Sequence, residues 1–188
     1  VIWPASGSVC SKCFFSEFSP HERSGSGGLA EKSARFSYLA GKTNEFMRIY
    51  EATEPSDLLA EAFARLLPQL SERMTAPDRE AVARIVASPA TRQLVAAAED
   101  GRIVGLLSVA LYDVPSGRKA WIEDVVVDAA ARGRGIGEAL VREALALARR
   151  EGVARVMLTS NATRRAAHRL YERMGFVRYE TDCFRLDL

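Results

Sequence analysis

Three glycines at alternate positions, Gly133, Gly135 and Gly137, follow a β-branched run that ends at Asp128. They open directly into Glu138-Ala139-Leu140-Val141-Arg142-Glu143-Ala144-Leu145, a helical pattern. A strand, a glycine loop and a helix start, in that order, make a site for an oxyanion. Glycine removes the side chain, so backbone N–H groups can approach a ligand closely. The N–H groups of a first helical turn have no partner within the helix, and the dipole places partial positive charge there. The expected ligand is a phosphate or pyrophosphate. A P-loop is excluded, because no lysine and hydroxyl residue follow Gly137. A dinucleotide fingerprint needs Gly-x-Gly-x-x-Gly and an acidic residue at the end of the next strand, and neither is present.

A third pattern, Arg/Gln-x-x-Gly-x-Gly/Ala, fits Arg132-Gly133-Arg134-Gly135-Ile136-Gly137 position for position. Here the sequence resembles the GNAT superfamily of acyl-CoA-dependent N-acyltransferases, in which this loop holds the pyrophosphate of coenzyme A. A second segment, Ala166-Ala167-His168-Arg169-Leu170-Tyr171-Glu172-Arg173-Met174-Gly175-Phe176, resembles that family's C-terminal signature. The two motifs stand in the family's order and at its usual separation. The resemblance covers about residues 47–188.

The resemblance implies acetyl-CoA as acyl donor and an amine as acceptor, a small molecule in the leading reading. A lysine or protein N-terminus is the alternative acceptor, and a non-catalytic acyl-CoA sensor the alternative class. An alkyl amine of pKa ~10.4 is mostly protonated at pH 7, which costs roughly 4.6 kcal/mol unless a base removes the proton. Glu123 and Asp124 are the acidic choices. Regular alternation turns them to opposite faces, with Val125 and Val127 beside Glu123, and Asp124 beside Val126. Family members place a base glutamate on this strand, so Glu123 is preferred. Tyr171 faces the thioester in the family pattern. Its phenol can donate to a departing thiolate, or it can be a core aromatic whose hydroxyl merely finds a partner. The oxyanion and the pantetheine arm are expected on the backbone of Val125, Val126 and Val127, where a bulge would free N–H groups. Arg132 and Arg134 add charge at the phosphates. Relatives carry an asparagine four or seven residues before the tyrosine. Here those positions are Ala167 and Arg164, so that contact falls to Arg164, to Asn161, or is lost. His168 reads as a helix-surface histidine, and Cys183 receives no nucleophilic role.

These residues need elements to position them. The expected fold is α/β: the GNAT fold, a mixed and mostly antiparallel sheet of about six to seven strands flanked by four helices, with two splayed central strands. Strands are expected at 46–52, 93–99, 102–112, 120–127, 155–160, 176–181 and 183–188. Helices are expected to start near Ser56 and Asp78, to run over 135–151 with Gly152 at the end, and to run over 164–174. The strands over 120–127 and 155–160 are those that splay. Glu61, Glu72, Asp113 and Trp121 could meet a cationic acceptor.

Length and composition bound the rest. A chain of 188 residues supports one domain, and 48% hydrophobic with 27% charged residues is ordinary for a globular protein. A net charge of +2 gives no argument for nucleic acid, and no apolar run approaches a membrane span. Cys10 and Cys13 have metal-ligand spacing but no second pair, so no metal is expected. Three cysteines fit a reducing, cytoplasmic compartment. Residues 1–45 hold no lasting period and read as a disordered tail, or as an extension upstream of a native start at Met47, with the domain over 46–188. A docking tail is the alternative. Homodimerisation is common among relatives, but no interface signature is visible.

Overall fold

The computed structural model describes Ser37–Tyr38 and residues 47–187, all within one compact unit, Ser33–Leu188. Strands β1 (Ser37–Tyr38) and β2 (Arg48–Ala52) precede helices α1 (Asp57–Leu70) and α2 (Arg79–Ala87). Then come β3 (Thr91–Ala97), β4 (Ile103–Val114), β5 (Gly117–Val127) and a 3₁₀ turn over Ala129–Ala131. Helix α3 (Ile136–Arg150), β6 (Val156–Leu158) and α4 (Arg165–Arg173) complete the order. The six strands form one sheet in sequence order, antiparallel except for the parallel pair β5 and β6. Among the described residues no helix is long and apolar enough to cross a membrane.

The helices start where capping chemistry directs. Ser56 accepts from the Leu59 N–H at 3.2 Å, and Asp78 from the Ala81 N–H at 2.7 Å. Gly152, with φ of 71°, ends α3 as its position suggests. The sheet separates two apolar layers. Leu59, Ala62, Phe63 and Leu66 of α1 pack with Val82, Val95, Leu106 and Val126 on one face. On the other, Ile136, Ala139, Leu140, Val141, Ala144 and Leu147 of α3 pack on Leu107, Val109, Ala120 and Ile122. Each of the larger side chains contributes about 1.5–3 kcal/mol when fully buried.

Two expectations change. Residues 176–181 and 183–187 form no strand among the described residues. Their alternating apolar residues, Val177, Tyr179, Phe184 and Leu186, are 62–91% exposed. Alternation signals a strand only where a sheet edge receives it. The sheet's edge strand β6 is three residues long, and within the segment Thr181 N–H donates to Tyr179 O. At the other end, Ser37–Tyr38 pairs with Ile49 and Arg48, so the sheet begins upstream of residue 46. The rest of the expectation for residues 1–45, including Cys10 and Cys13, lies outside the described residues.

Gly105 sets how closely α3 approaches the sheet. A Cβ there would lie 3.0 Å from Leu140 Cδ1 and 3.1 Å from Ile136 Cγ2. Gly105→Val therefore lowers stability by about 1–3 kcal/mol, read as a lower urea midpoint. An unchanged midpoint would show that α3 does not rest on this residue.

Candidate active site

The site forms where β5 stops being regular. Ser108 of β4 pairs with Glu123, but Leu106 pairs with Val126, so β5 carries one extra residue over this stretch. Asp124 sits in it with φ of 51°, in the left-handed region that few non-glycine residues enter. This is a β-bulge, and it exchanges the faces of β5. Ile122 packs on the α3 side, whereas Val126 packs on the α1 side, the same side as Glu123's partner Ser108. The opposite-face expectation for Glu123 and Asp124 thus fails. Glu123 and Asp124, both exposed to solvent, line one cavity of about 260 Å³, with Phe63 and Leu67 of α1, Pro77 and Ile85 around α2, and Gln93, Leu106 and Ser108 of the sheet. Val126, expected beside Asp124, is buried, and Val125 and Val127 are half-buried against the α3 layer.

The second irregularity is the splay. β5 and β6 pair only through Ala120, Trp121 and Ile122 with Val156, Met157 and Leu158. Beyond Ile122 no strand among the described residues covers that edge of β5. Asp128 N–H donates to Val104 O at 2.9 Å, on the β4 side. Alternation then turns the peptide groups of Val127 and Val125 toward the gap. The Val127 carbonyl, accordingly, accepts from Arg132 Nε at 3.1 Å. Near the gap, the Ser160 hydroxyl is buried and has no partner among the described residues, a polar group that sequence alone does not single out.

The glycine loop follows. Gly133 and Gly135 have φ of 81° and 79°, and a Cβ at either would meet nothing within 4 Å. Backbone conformation, rather than crowding by the protein, requires glycine at these two positions, and the space beside them is open. Gly137 differs: a Cβ there would come 3.3 Å from Leu170 Cδ2. Gly135 caps α3 with no side-chain hydrogen bond, which leaves the first-turn N–H groups from Ile136 onward facing outward. Arg132 and Arg134 are exposed at the loop. These features fit a pyrophosphate: an open cradle, uncapped donors and two guanidiniums.

The remaining residues lie on α4 and the turn before it. The Tyr171 ring packs edge-on against Phe176, with centroids 5.8 Å apart. Burial pushes its phenol pKa up and the Arg164 cation pulls it down less, so it is a proton donor at neutral pH. Arg164 donates to Leu70 O at 2.6 Å, bridging α4 to the end of α1. The Asn161 Oδ1 accepts from Thr163 N–H at 2.9 Å and Thr163 Oγ1 at 2.8 Å, so this atom closes the turn, and only the amide nitrogen is left to offer. His168 is half-buried, and Cys183 is exposed. Glu61, Glu72 and Asp113 do not line the cavity; Asp113 pairs with Arg118 at 3.5 Å.

The two cavity carboxyls titrate above their ordinary range. For Glu123 the cause is burial, then the neighbouring Asp124 charge, opposed by a hydrogen bond from the Trp121 side chain. For Asp124 it is burial, opposed by Arg164. Raised values bring a carboxylate closer to a useful base at working pH.

A family model of the acetyltransferase (GNAT) family matches residues 44–176. The chain belongs to this family, whose members are acetyltransferases that use acetyl-CoA as co-substrate. It is 36% identical over 146 residues to glucosamine 6-phosphate N-acetyltransferase 1 of Oryza sativa subsp. japonica, covering 73% of this chain and 86% of that protein. It is 37% identical over 89 residues to mycothiol acetyltransferase of Thermomonospora curvata, covering 47% of this chain but only 29% of that protein. The chain thus spans less than a third of that longer relative. The crystal structure of an acetyltransferase of Trypanosoma brucei superposes with a TM-score of 0.63 at 30% identity, covering 76% of this chain and 99% of that one.

Because folding raises the Glu123 and Asp124 pKa values, the folded chain keeps these protons to higher pH than the unfolded chain. The stability so gained is present in acid and is lost as pH rises through the raised values. Glu123→Gln removes that titration and keeps the shape. Its thermal midpoint relative to the parent therefore rises as pH rises from below the ordinary carboxyl range through the raised Glu123 value. A difference that is flat with pH would contradict the raised value.

Proposed function

We propose that the chain transfers the acetyl group of acetyl-CoA to the primary amine of a small molecule, by direct attack in a ternary complex. The observation that carries this reading is the bulge beside the splay. One irregularity brings Glu123 and Asp124 to an open cavity on one face of β5 and turns the peptide groups of Val125 and Val127 toward a gap at its edge. The bound co-substrate supplies an activated thioester. Gly133, Gly135, Ile136 and Gly137 cradle the pyrophosphate with backbone donors, and Arg132 and Arg134 add charge. The gap-facing N–H groups of Val125 and Val127 receive the pantetheine arm and the acyl oxygen. Asn161 and Arg164 flank the entrance.

Glu123 takes the proton of the acceptor ammonium, directly or through one water, and so makes the nucleophile. As the nitrogen–carbonyl bond forms and the carbon–sulfur bond breaks, Tyr171 gives its proton to the departing sulfur and recovers one from the new amide nitrogen, so coenzyme A leaves as the thiol. The acceptor seat has an apolar floor of Phe63, Leu67, Ile85 and Leu106, and two carboxylates at its edge. That lining favours a cationic amine, and about 260 Å³ suits a small one.

Tyr171→Phe keeps the packing and removes the donor. It lowers kcat by on the order of 10²-fold and leaves coenzyme A affinity unchanged. Full turnover in this variant would remove Tyr171 from the chemistry. Glu123→Gln lowers kcat/KM on a similar scale and removes the inflection that Glu123 gives the pH–rate profile, leaving only the rise that follows deprotonation of the acceptor amine. A variant whose profile keeps that inflection would transfer the base role elsewhere. Thiol release from acetyl-CoA, measured over a panel of amines, reads both.

A further inference from the structure

The segment between β5 and the glycine loop is fastened to α1, and no catalytic role uses those contacts. Asp128, at the end of β5, is 6% exposed. Its carboxylate pairs with Arg65 of α1, lies 3.9 Å from Arg102, and accepts from the Ala130 N–H at 3.1 Å. The second guanidinium nitrogen of Arg65 donates to Ile103 O, so one arginine ties α1 to both β4 and the end of β5. One helical turn on, Gln69 Oε1 accepts from the Ala129 N–H at 2.8 Å, while its Nε2 donates to Arg65 O at 3.2 Å. Two successive N–H groups of the 3₁₀ turn are therefore held, one by α1 itself and one by an aspartate that α1 holds. The glycine loop begins at the next residue but one. Its backbone has left-handed angles at Gly133 and Gly135 and no side-chain cap, and Arg132 Nε, which donates to Val127 O at 3.1 Å, also ties its base to the end of β5. A cradle of N–H donors works only when they converge, and convergence here is imposed from the loop's base.

We propose that Asp128, Arg65 and Gln69 are positioning residues that set the glycine loop for the pyrophosphate. The inference rests on the acetyl-CoA reading. α1 also walls the acceptor cavity through Phe63 and Leu67, so the same helix is the common support of both halves of the site.

The test uses the full chain, with coenzyme A titrated by calorimetry and acetyl-CoA kinetics run in parallel. Asp128→Asn leaves the Arg65 cation facing a neutral amide, and Gln69→Ala deletes one acceptor without stranding a charge. Each raises the coenzyme A Kd and the acetyl-CoA KM, by about tenfold for Asp128→Asn and about threefold for Gln69→Ala, while kcat at saturation stays within about twofold. Asn in place of Gln69 shortens the reach and behaves as alanine does. A lowered thermal midpoint with unchanged Kd and KM would make the contacts merely structural and overturn the proposal. Gln69→Ala reports alone if Asp128→Asn does not fold. If the parent chain binds no coenzyme A, the acetyl-CoA reading itself falls, which is a separate result from equal binding by parent and variants.

Discussion

One extra residue in β5 is the constraint on which the site depends. Without it, Glu123 would alternate normally with Val126, and the strand would meet its β4 partner without interruption. With it, Asp124 takes a backbone conformation that costs of order 1–3 kcal/mol for a non-glycine residue, and the surrounding sheet must supply that energy. The sheet can do so because β4 and β5 pair on both sides of the bulge, from Val114 with Gly117 to Gly105 with Val127. The return is geometric. Val126 turns into the α1 layer, the two acidic neighbours come to one cavity, and Val125 and Val127 turn to the gap that opens beyond Ile122.

The helices then divide the labour. α3 rests on Gly105 and begins at an uncapped glycine, so its dipole end faces solvent at the loop. α4 brings Tyr171, whose raised pKa keeps it protonated, and it is tethered to the end of α1 by Arg164. α1 touches every part: the cavity through Phe63 and Leu67, the loop base through Arg65 and Gln69, and α4 through the Leu70 carbonyl. Charge follows the same division, with arginines at the loop and acidic residues at the cavity.

Much of this was legible in the residues. The glycine spacing, the helix of Tyr171 and the caps at Ser56 and Asp78 are local signals, and local signals survive folding. The splay between the strands at 120–127 and 155–160 came with the family resemblance, and the pairing ends after Ile122 and Leu158. The failures are all non-local. Period-two alternation cannot announce a bulge, because the bulge is defined by the partner strand, so it sets Glu123 with Val125 and Val127 and apart from Asp124, whereas Glu123 and Asp124 share the α1 side and Val125 and Val127 the α3 side. The alternation at Val177, Tyr179, Phe184 and Leu186 reads as a strand, yet a strand needs an edge to join. Arg65 and Asp128 stand 63 positions apart, and nothing in either neighbourhood pairs them.

The central claim is that the gap edge of β5 and the glycine loop form one continuous backbone surface for acetyl-CoA. Residue-resolved amide spectroscopy of the full chain, titrated with coenzyme A, addresses it directly. The account predicts large shifts and slowed hydrogen exchange at the amides of Val125, Val127, Gly133, Gly135, Ile136 and Gly137, with smaller changes at Val126, whose peptide group faces β4. Shifts confined to other segments, or changes at the loop with none at Val125 and Val127, would contradict it.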